Sequence, residues 1–258
     1  METNSITSVF DIKMGVLIIE TILIYFLYNH YQLDIQLDLT IMSVAIVFPL
    51  VFSITSAYQR RQDSIKEFAI FRNKIIDLSN IFYAVNETTK THYDKLFYSL
   101  LDLQDVFVDY LKAYSSENSY DEVRKKRREI FLLIDSHKSL YNEREKDSLI
   151  RVKNELFQSA ERLRGIKIHP TPISLRKYCL IFIFLSPLLF NTQLVAQKVS
   201  TEYNTEIIIT LLMSIIVSFV LIALYNVQDY IENPFDQKGL DDLKLSKMDV
   251  AKSESLYL

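Results

Sequence analysis

Ile207 to Tyr225 reads IIITLLMSIIVSFVLIALY, nineteen residues without a charge. A helix needs about 20 apolar residues to cross the hydrocarbon of a bilayer, so this run predicts a membrane span. Its few polar side chains before Tyr225 are small: Thr210, Ser214 and Ser218. They recur every four residues and share one helix face. Such stripes let membrane helices pack closely and hydrogen-bond to one another.

Three weaker segments join it. Leu39 to Gln59 carries no charge and contains Pro49. A proline removes a helical hydrogen bond and frees a carbonyl, which lipid tolerates only where a neighbour satisfies it. Met14 to Tyr28 is shorter and contains Glu20. A carboxylate at membrane depth faces a bundle interior or water, either as an ion contact or as a structural hydrogen bond to another helix. Tyr178 to Phe190 is the shortest and carries Pro187, and its helix is open to an earlier start near Pro172. The chain holds only three glycines and five prolines in 258 residues. Sheets need many tight turns rich in those residues, so the fold class is all-α: an integral membrane protein with four transmembrane segments per subunit.

Loop charge sets the orientation. Residues 60–177 hold 23 of the 29 Lys and Arg, whereas 29–38 hold none and the link between the third and fourth segments has only Lys198. Basic loops stay in the cytosol, so both termini are expected there in a multi-pass cell membrane protein, a bacterial inner membrane being the expected site. The expected divisions are 1–58 with the first two spans, 59–177 as a cytosolic helical domain, 178–228 with the last two spans, and 229–258 as a cytosolic tail.

The 59–177 stretch is itself helical by pattern. Ile65, Phe68, Ile75, Leu78 and Phe82 prolong the second membrane helix into the cytosol. A second stripe runs from Tyr93 to Leu111, Ser115 to Ser119 break it, and a last long helix follows His137. Spacing near 3.6 residues makes these helices amphipathic, so each must bury a face. The basic run Arg124–Arg128 reads either as a solvated face or as an attractor of lipid headgroups or anions.

Catalytic patterns are missing. The sequence has no glycine-rich phosphate loop, CxxC or HExxH, its four histidines sit at unrelated spacings, and its one cysteine, Cys179, lies in an apolar run. No enzyme activity, metal or cofactor is expected, and a net charge of -3 gives no reason to expect a nucleic-acid partner.

Two stretches remain. Val44, Phe48 and Phe52 lie four apart on the second segment and cover about 12 Å of helix at about 1.5 Å per residue. A ring of such helices makes an apolar constriction able to gate ions by dewetting, although any core-facing membrane helix shows the same spacing. Directly after the last segment comes Glu232-Asn233-Pro234-Phe235, then Asp241-Asp242-Leu243. Pro234 ends the helix, Asn233 turns the chain, Phe235 offers an apolar anchor, and Asp241 and Asp242 offer charge to basic groups.

This string resembles the bestrophin family, whose members carry a Glu-Asn/Asp-Pro-Phe element after their final membrane helix. Ser56-Ala57-Tyr58-Gln59-Arg60 is similar to the end of the pore helix in bacterial members. Glu161-Arg162-Leu163, followed by Pro170-Thr171-Pro172, is a third match in the same order. The resemblance implies a homopentameric ring around one axial pore, with Val44, Phe48 and Phe52 as a hydrophobic neck and a second, cytosolic constriction around Leu140 or Tyr141. Animal members, which are chloride channels, have an aliphatic residue, Phe and Phe at the neck, as here; some bacterial relatives with Ile in the middle pass sodium. Chloride or another small anion is therefore the expected permeant ion, and membrane lipid and other copies of the chain are the expected partners. The departures are Val51, Ser53, Asp236 and the lack of any Trp, while Lys238 and Gly239 interrupt the acidic run through which animal members bind calcium. A cation-permeable channel of the same fold and a non-conducting membrane scaffold or sensor stay open as alternatives.

Overall fold

The computed structural model describes residues 11–31, 39–84, 90–113, 117–137, 139, 141–196, 203–237, 242–247 and 250. Its elements are helices: α1 Ile12–Tyr31, α2 Leu39–Ala84, α3 Lys90–Lys112, α4 Glu117–Ser136, α5 Glu143–Ile168, α6 Ile173–Ala196 and α7 Tyr203–Ile231, then a 3-10 turn at Leu245–Lys247. No strand occurs among the described residues. The second helix continues unbroken for 46 residues, as the apolar stripe beyond Arg60 predicts. The third apolar segment is longer than its charge-free core, because α6 starts at Ile173, directly after Pro172.

The chain forms two compact units: one from residues 1–59 and 170–232, the other from 60–169 and 233–258. Three stretches among the described residues are long and apolar enough to cross a membrane: Ile12–Tyr31, Ile207–Ile231 and Glu143–Thr192, the last through the apolar body of α6.

In the first unit α1 packs on α6 and α7, and α6 on α7. Its core joins Met14 and Leu17 to Ile46, Leu50, Cys179, Ile183, Leu221 and Ile222. The outer surface is as apolar as the core. Val16, Ile19, Leu23 and Phe26 of α1, Ile181 and Leu185 of α6, and Ile208, Leu212, Met213 and Ile216 of α7 are all exposed. A protein surrounded by water rarely leaves so much contiguous apolar surface uncovered; for a surface facing lipid it is the stable arrangement.

Polar groups lie inside instead, and several pair with one another. Thr21 donates to the Ser218 hydroxyl at 2.9 Å or to its own Leu17 carbonyl. Ser214 donates to the Asn191 side-chain oxygen, and the Asn191 amide donates to the Thr21 carbonyl at 3.3 Å. The Tyr25 hydroxyl reaches the Ile207 carbonyl at 2.9 Å. The Thr210, Ser214 and Ser218 stripe thus faces α1 and α6.

Both internal prolines have their freed carbonyls answered. Pro49 cannot donate to Ala45, four residues earlier, and the Tyr178 hydroxyl donates to that carbonyl at 3.3 Å. Pro187 cannot donate to Ile183, and the Ser186 hydroxyl does so at 2.7 Å.

The second unit has an aromatic core in which each helix contributes one stripe. Phe68, Phe71, Ile75, Leu78 and Phe82 of α2 meet Leu96, Leu100, Leu103 and Phe107 of α3, Val123 and Ile130 of α4, and Leu149, Leu156 and Leu163 of α5. The Phe71 and Phe107 rings lie 4.9 Å apart. Asn142 caps α5, accepting from Glu145 N–H while the Glu145 carboxylate accepts from Asn142 N–H, both at 2.9 Å. This reciprocal pair satisfies two donors that a helix start leaves unpaired. Lys167 donates to the Tyr110 and Ala113 carbonyls at the end of α3, as cations commonly do at helix C-termini. Glu67–Arg162 at 3.0 Å and Lys74–Glu155 at 2.9 Å tie α2 to α5.

Phe107, fully buried against Phe71, gives a direct test. Phe107→Ala should cost about 3–5 kcal/mol of stability, read as a lowered thermal midpoint by circular dichroism. A change under about 1 kcal/mol would remove this ring from the core. Tyr178→Phe keeps the ring but strands the Ala45 carbonyl, and should destabilise by about 1 kcal/mol.

Candidate functional site: the exposed neck row and the post-membrane lock

The candidate neck row lies on the first half of α2. That half has two faces. Ile46, Leu50, Ser53 and Ala57 are buried, whereas Val44, Phe48 and Phe52 are 58%, 60% and 54% exposed. Val47, Val51 and Tyr58 flank the row and are exposed too. The Phe48 and Phe52 rings touch edge to face, with centroids 4.6 Å apart. That geometry sets the positive edge of one ring on the negative face of the other. The row carries no charge and no hydrogen-bonding side chain, so it can bind no ion by ligation. It can exclude water and demand that an ion shed its shell.

Below the row the helix turns polar. Ser53 is fully buried and its hydroxyl has no partner among the described residues. Thr55 returns its hydroxyl to the Val51 carbonyl at 2.8 Å. Glu20 of α1 is half-buried, one residue from Thr21, and among the described residues its carboxylate takes part in no ion pair or hydrogen bond.

The string after the last membrane helix resolves into two local devices. In the first unit, the Glu232 carboxylate is buried and accepts from Thr171 twice: from its N–H at 2.7 Å and from its hydroxyl at 2.8 Å. Pro170 and Pro172 flank that threonine, so the Pro-Thr-Pro element fixes both donors on the carboxylate. Close by, Arg176 of α6 pairs with Asp229 of α7, and Lys13 of α1 lies 3.7 Å from the same carboxylate.

In the second unit, Phe235 is fully buried in the aromatic core. Asn233 turns the chain into it, its side-chain oxygen accepting from Phe235 N–H at 3.3 Å. The Pro234 carbonyl then accepts from Leu243 N–H at 2.9 Å. Gln237 closes the loop by donating to the Leu243 carbonyl at 2.6 Å. It does so from a left-handed backbone with φ 59°, a conformation uncommon outside glycine. Asp242 is buried; Asp241 lies outside the described residues.

The expected cytosolic constriction divides in the same way. Leu140 lies outside the described residues. Tyr141 is buried in the core of the second unit, with its ring 6.0 Å from that of Phe82. Burial, with a smaller contribution from Glu145, pushes the Tyr141 phenol up to about 12.

Glu161, from the third matched stretch, gathers three side chains into one cluster. It accepts from the Tyr120 hydroxyl at 2.8 Å and from Arg127 at 3.1 Å, with Arg164 at 3.4 Å. The Tyr120 phenol is driven up, by burial first and by that carboxylate second. The sequence singled out Glu161, Glu232 and the Pro-Thr-Pro element that holds Thr171, but not Tyr120 and not the pairing of Thr171 with Glu232. The one visible signal for Thr171 was its place between two prolines.

The Glu232 clasp predicts an asymmetry. Thr171→Val removes one donor from a buried carboxylate and should cost about 1.5–3 kcal/mol. Glu232→Ala removes the acceptor of both bonds and should cost at least as much. Thermal unfolding in detergent measures both, and two unchanged midpoints would discard the clasp.

No family model and no curated protein matches the chain. Solved structures do. The crystal structure of a bacterial bestrophin homologue from Klebsiella pneumoniae aligns with a TM-score of 0.74 at 16% identity, covering 95% of this chain and 96% of that one. A point variant of a bestrophin homologue from the same organism gives 0.75 at 15% identity, over 94% and 95% of the two chains. A structure described as a membrane protein, also a point variant, gives 0.75 at 15% identity over 95% and 94%. Nearly the whole chain therefore has the fold of the bacterial bestrophin homologues.

Proposed function

We propose that the chain is one subunit of a bestrophin-like ion channel, a homopentamer that passes chloride or another small anion along an axial pore. Val44, Phe48 and Phe52 form its hydrophobic neck, each as a ring of five. The observation that carries this reading is the exposed apolar row on α2. Its opposite face is packed within the unit, while the row itself has no cover among the described residues, in a chain whose fold is that of bestrophin homologues. Other copies of the same helix are the partners that closed symmetry supplies.

In this reading the charge-free part of α2, residues 39–59, is a fourth span beside α1, α6 and α7. The basic stretch 60–177 keeps the second unit and both termini on the cytosolic side. The protein works in a cell membrane, a bacterial inner membrane by preference, in contact with lipid. It is not an enzyme and needs no cofactor.

The neck favours anions on physical grounds. It offers no oxygen ligand to replace a cation's water, and chloride, being larger than sodium, holds its shell less tightly. Rings of phenylalanine also carry their positive potential at the edge, which suits an anion passing between them. A neck of this kind gates by wetting and drying rather than by a charged plug.

Two recordings test the proposal in planar bilayers. In a chloride gradient the current should reverse near the chloride equilibrium potential, and should still do so when a large impermeant cation replaces sodium. A reversal that follows sodium would contradict the anion assignment. Replacing Val44, Phe48 and Phe52 together by Ala should widen the neck and raise the current. An unchanged current from the intact triple variant would remove these residues from the neck.

A further inference from the structure

The basic run Arg124–Arg128 has no role in the proposed neck. A groove of about 520 Å³ opens beside it, between α4 and α5. Arg124, Arg127, Arg128 and Phe131 stand on one face of α4, at spacings of three and four that make them neighbours. Lys153 and Phe157 face them from α5, also four apart. Four cations line the groove, and no carboxylate is among its lining residues.

The two rings hold two of these cations in place, each from the opposite helix. The Arg127 guanidinium of α4 lies 4.6 Å from the centre of the Phe157 ring of α5. The Lys153 ammonium of α5 lies 4.9 Å from the centre of the Phe131 ring of α4. Such contacts attract a cation to the ring face and fix its position before any ligand arrives.

Charge is not balanced locally. Asp121 pairs with Arg124 at 2.9 Å and Glu161 with Arg127 at 3.1 Å. Among the described residues Arg128 and Lys153 have no acidic partner, so the groove keeps an excess of two positive charges. Burial, and behind it the like charge of Arg127, holds the Lys153 ammonium below its ordinary range. An arrangement that keeps more cations than anions together is under repulsion, and a bound anion relieves it.

We propose that this groove binds a small polyanion carrying two or more phosphate groups. Arginine forks match phosphate oxygens with paired hydrogen bonds. Four cations on two facing helices suit charge spread over several groups rather than one monovalent ion. The groove lies wholly within the second unit, and the proposal does not rest on the neck.

Isothermal titration of the purified full-length protein in detergent tests it, with inorganic triphosphate as the probe. One saturable site per chain is expected. Arg128→Ala and Lys153→Ala should each weaken it about tenfold or more, the size expected when a bond to a charged group is lost. Lys125→Ala, in the same run but outside the groove, should bind as the natural chain does. Ligand-free thermal midpoints show that each variant is folded; Lys153→Gln, which keeps the length and drops the charge, replaces Lys153→Ala if that one unfolds. Inositol trisphosphate is run beside the linear triphosphate. Tighter binding of the first supports the site with a lipid headgroup as its source, and tighter binding of the second supports it with a free polyphosphate. Equal weakening by Lys125→Ala would reduce the effect to the general charge of α4 and overturn the proposal, as would the absence of saturable binding.

Discussion

A backbone carbonyl with no water to turn to is the constraint on which the membrane unit depends. Within lipid every N–H and C=O must be answered by protein, and two prolines sit where they break that rule. Both breaks are repaired by a nearby hydroxyl: Tyr178 for the carbonyl that Pro49 frees, Ser186 for the one that Pro187 frees. The first repair comes from α6 to α2 and the second from within α6. The Tyr178 bond falls one residue from Val44. The same side chain that satisfies the backbone of α2 therefore also fixes the helix that presents the row proposed as the neck.

With the backbone satisfied, the side chains divide by environment. Hydroxyls and the Asn191 amide collect between α1, α6 and α7, where each finds a partner. Leucine, isoleucine and valine turn outward. Apolar surface costs nothing against lipid, so burial of hydrophobic area does not drive these helices together. Close packing and interhelical hydrogen bonds do. The second unit is built the other way round, with phenylalanines inside and ion pairs such as Glu67–Arg162 between its helices. The chain passes between the two regimes at Gln59, at Pro170 and at Asn233, close to the three motifs that the sequence reading found in order.

Much of this was legible in the sequence because it is periodic or local. Charge-free length marks α7, and the stripe from Ile65 to Phe82 carries α2 to Ala84. Asn233 and Pro234 announce a turn whose hydrogen bonds close within ten residues, and Phe235 an anchor that is buried. The illegible parts are long-range pairings. Thr171 and Glu232 are 61 residues apart, and nothing in either segment names the other. The same holds for Tyr178 with Ala45, and for the crossed contacts of Arg127 with Phe157 and Lys153 with Phe131. Tyr141 is a further case: the resemblance alone put it near a constriction, and no spacing in the sequence announces the contact of its ring with Phe82. Helical spacing says that Val44, Phe48 and Phe52 share a face, and the fold leaves that face uncovered. Whether that face lines a path for ions is the question on which the proposed neck turns.

That question has a direct measurement. In a Cys179→Ser background, which removes the one native thiol, Phe48→Cys channels are recorded in a planar bilayer. A charged, membrane-impermeant methanethiosulfonate reagent is then added. If the row faces a shared aqueous path, the thiol is reached, and the current falls and does not recover on washing. If the row faces lipid, the charged reagent cannot reach it. An unlabelled thiol beneath an unaltered current would contradict the neck.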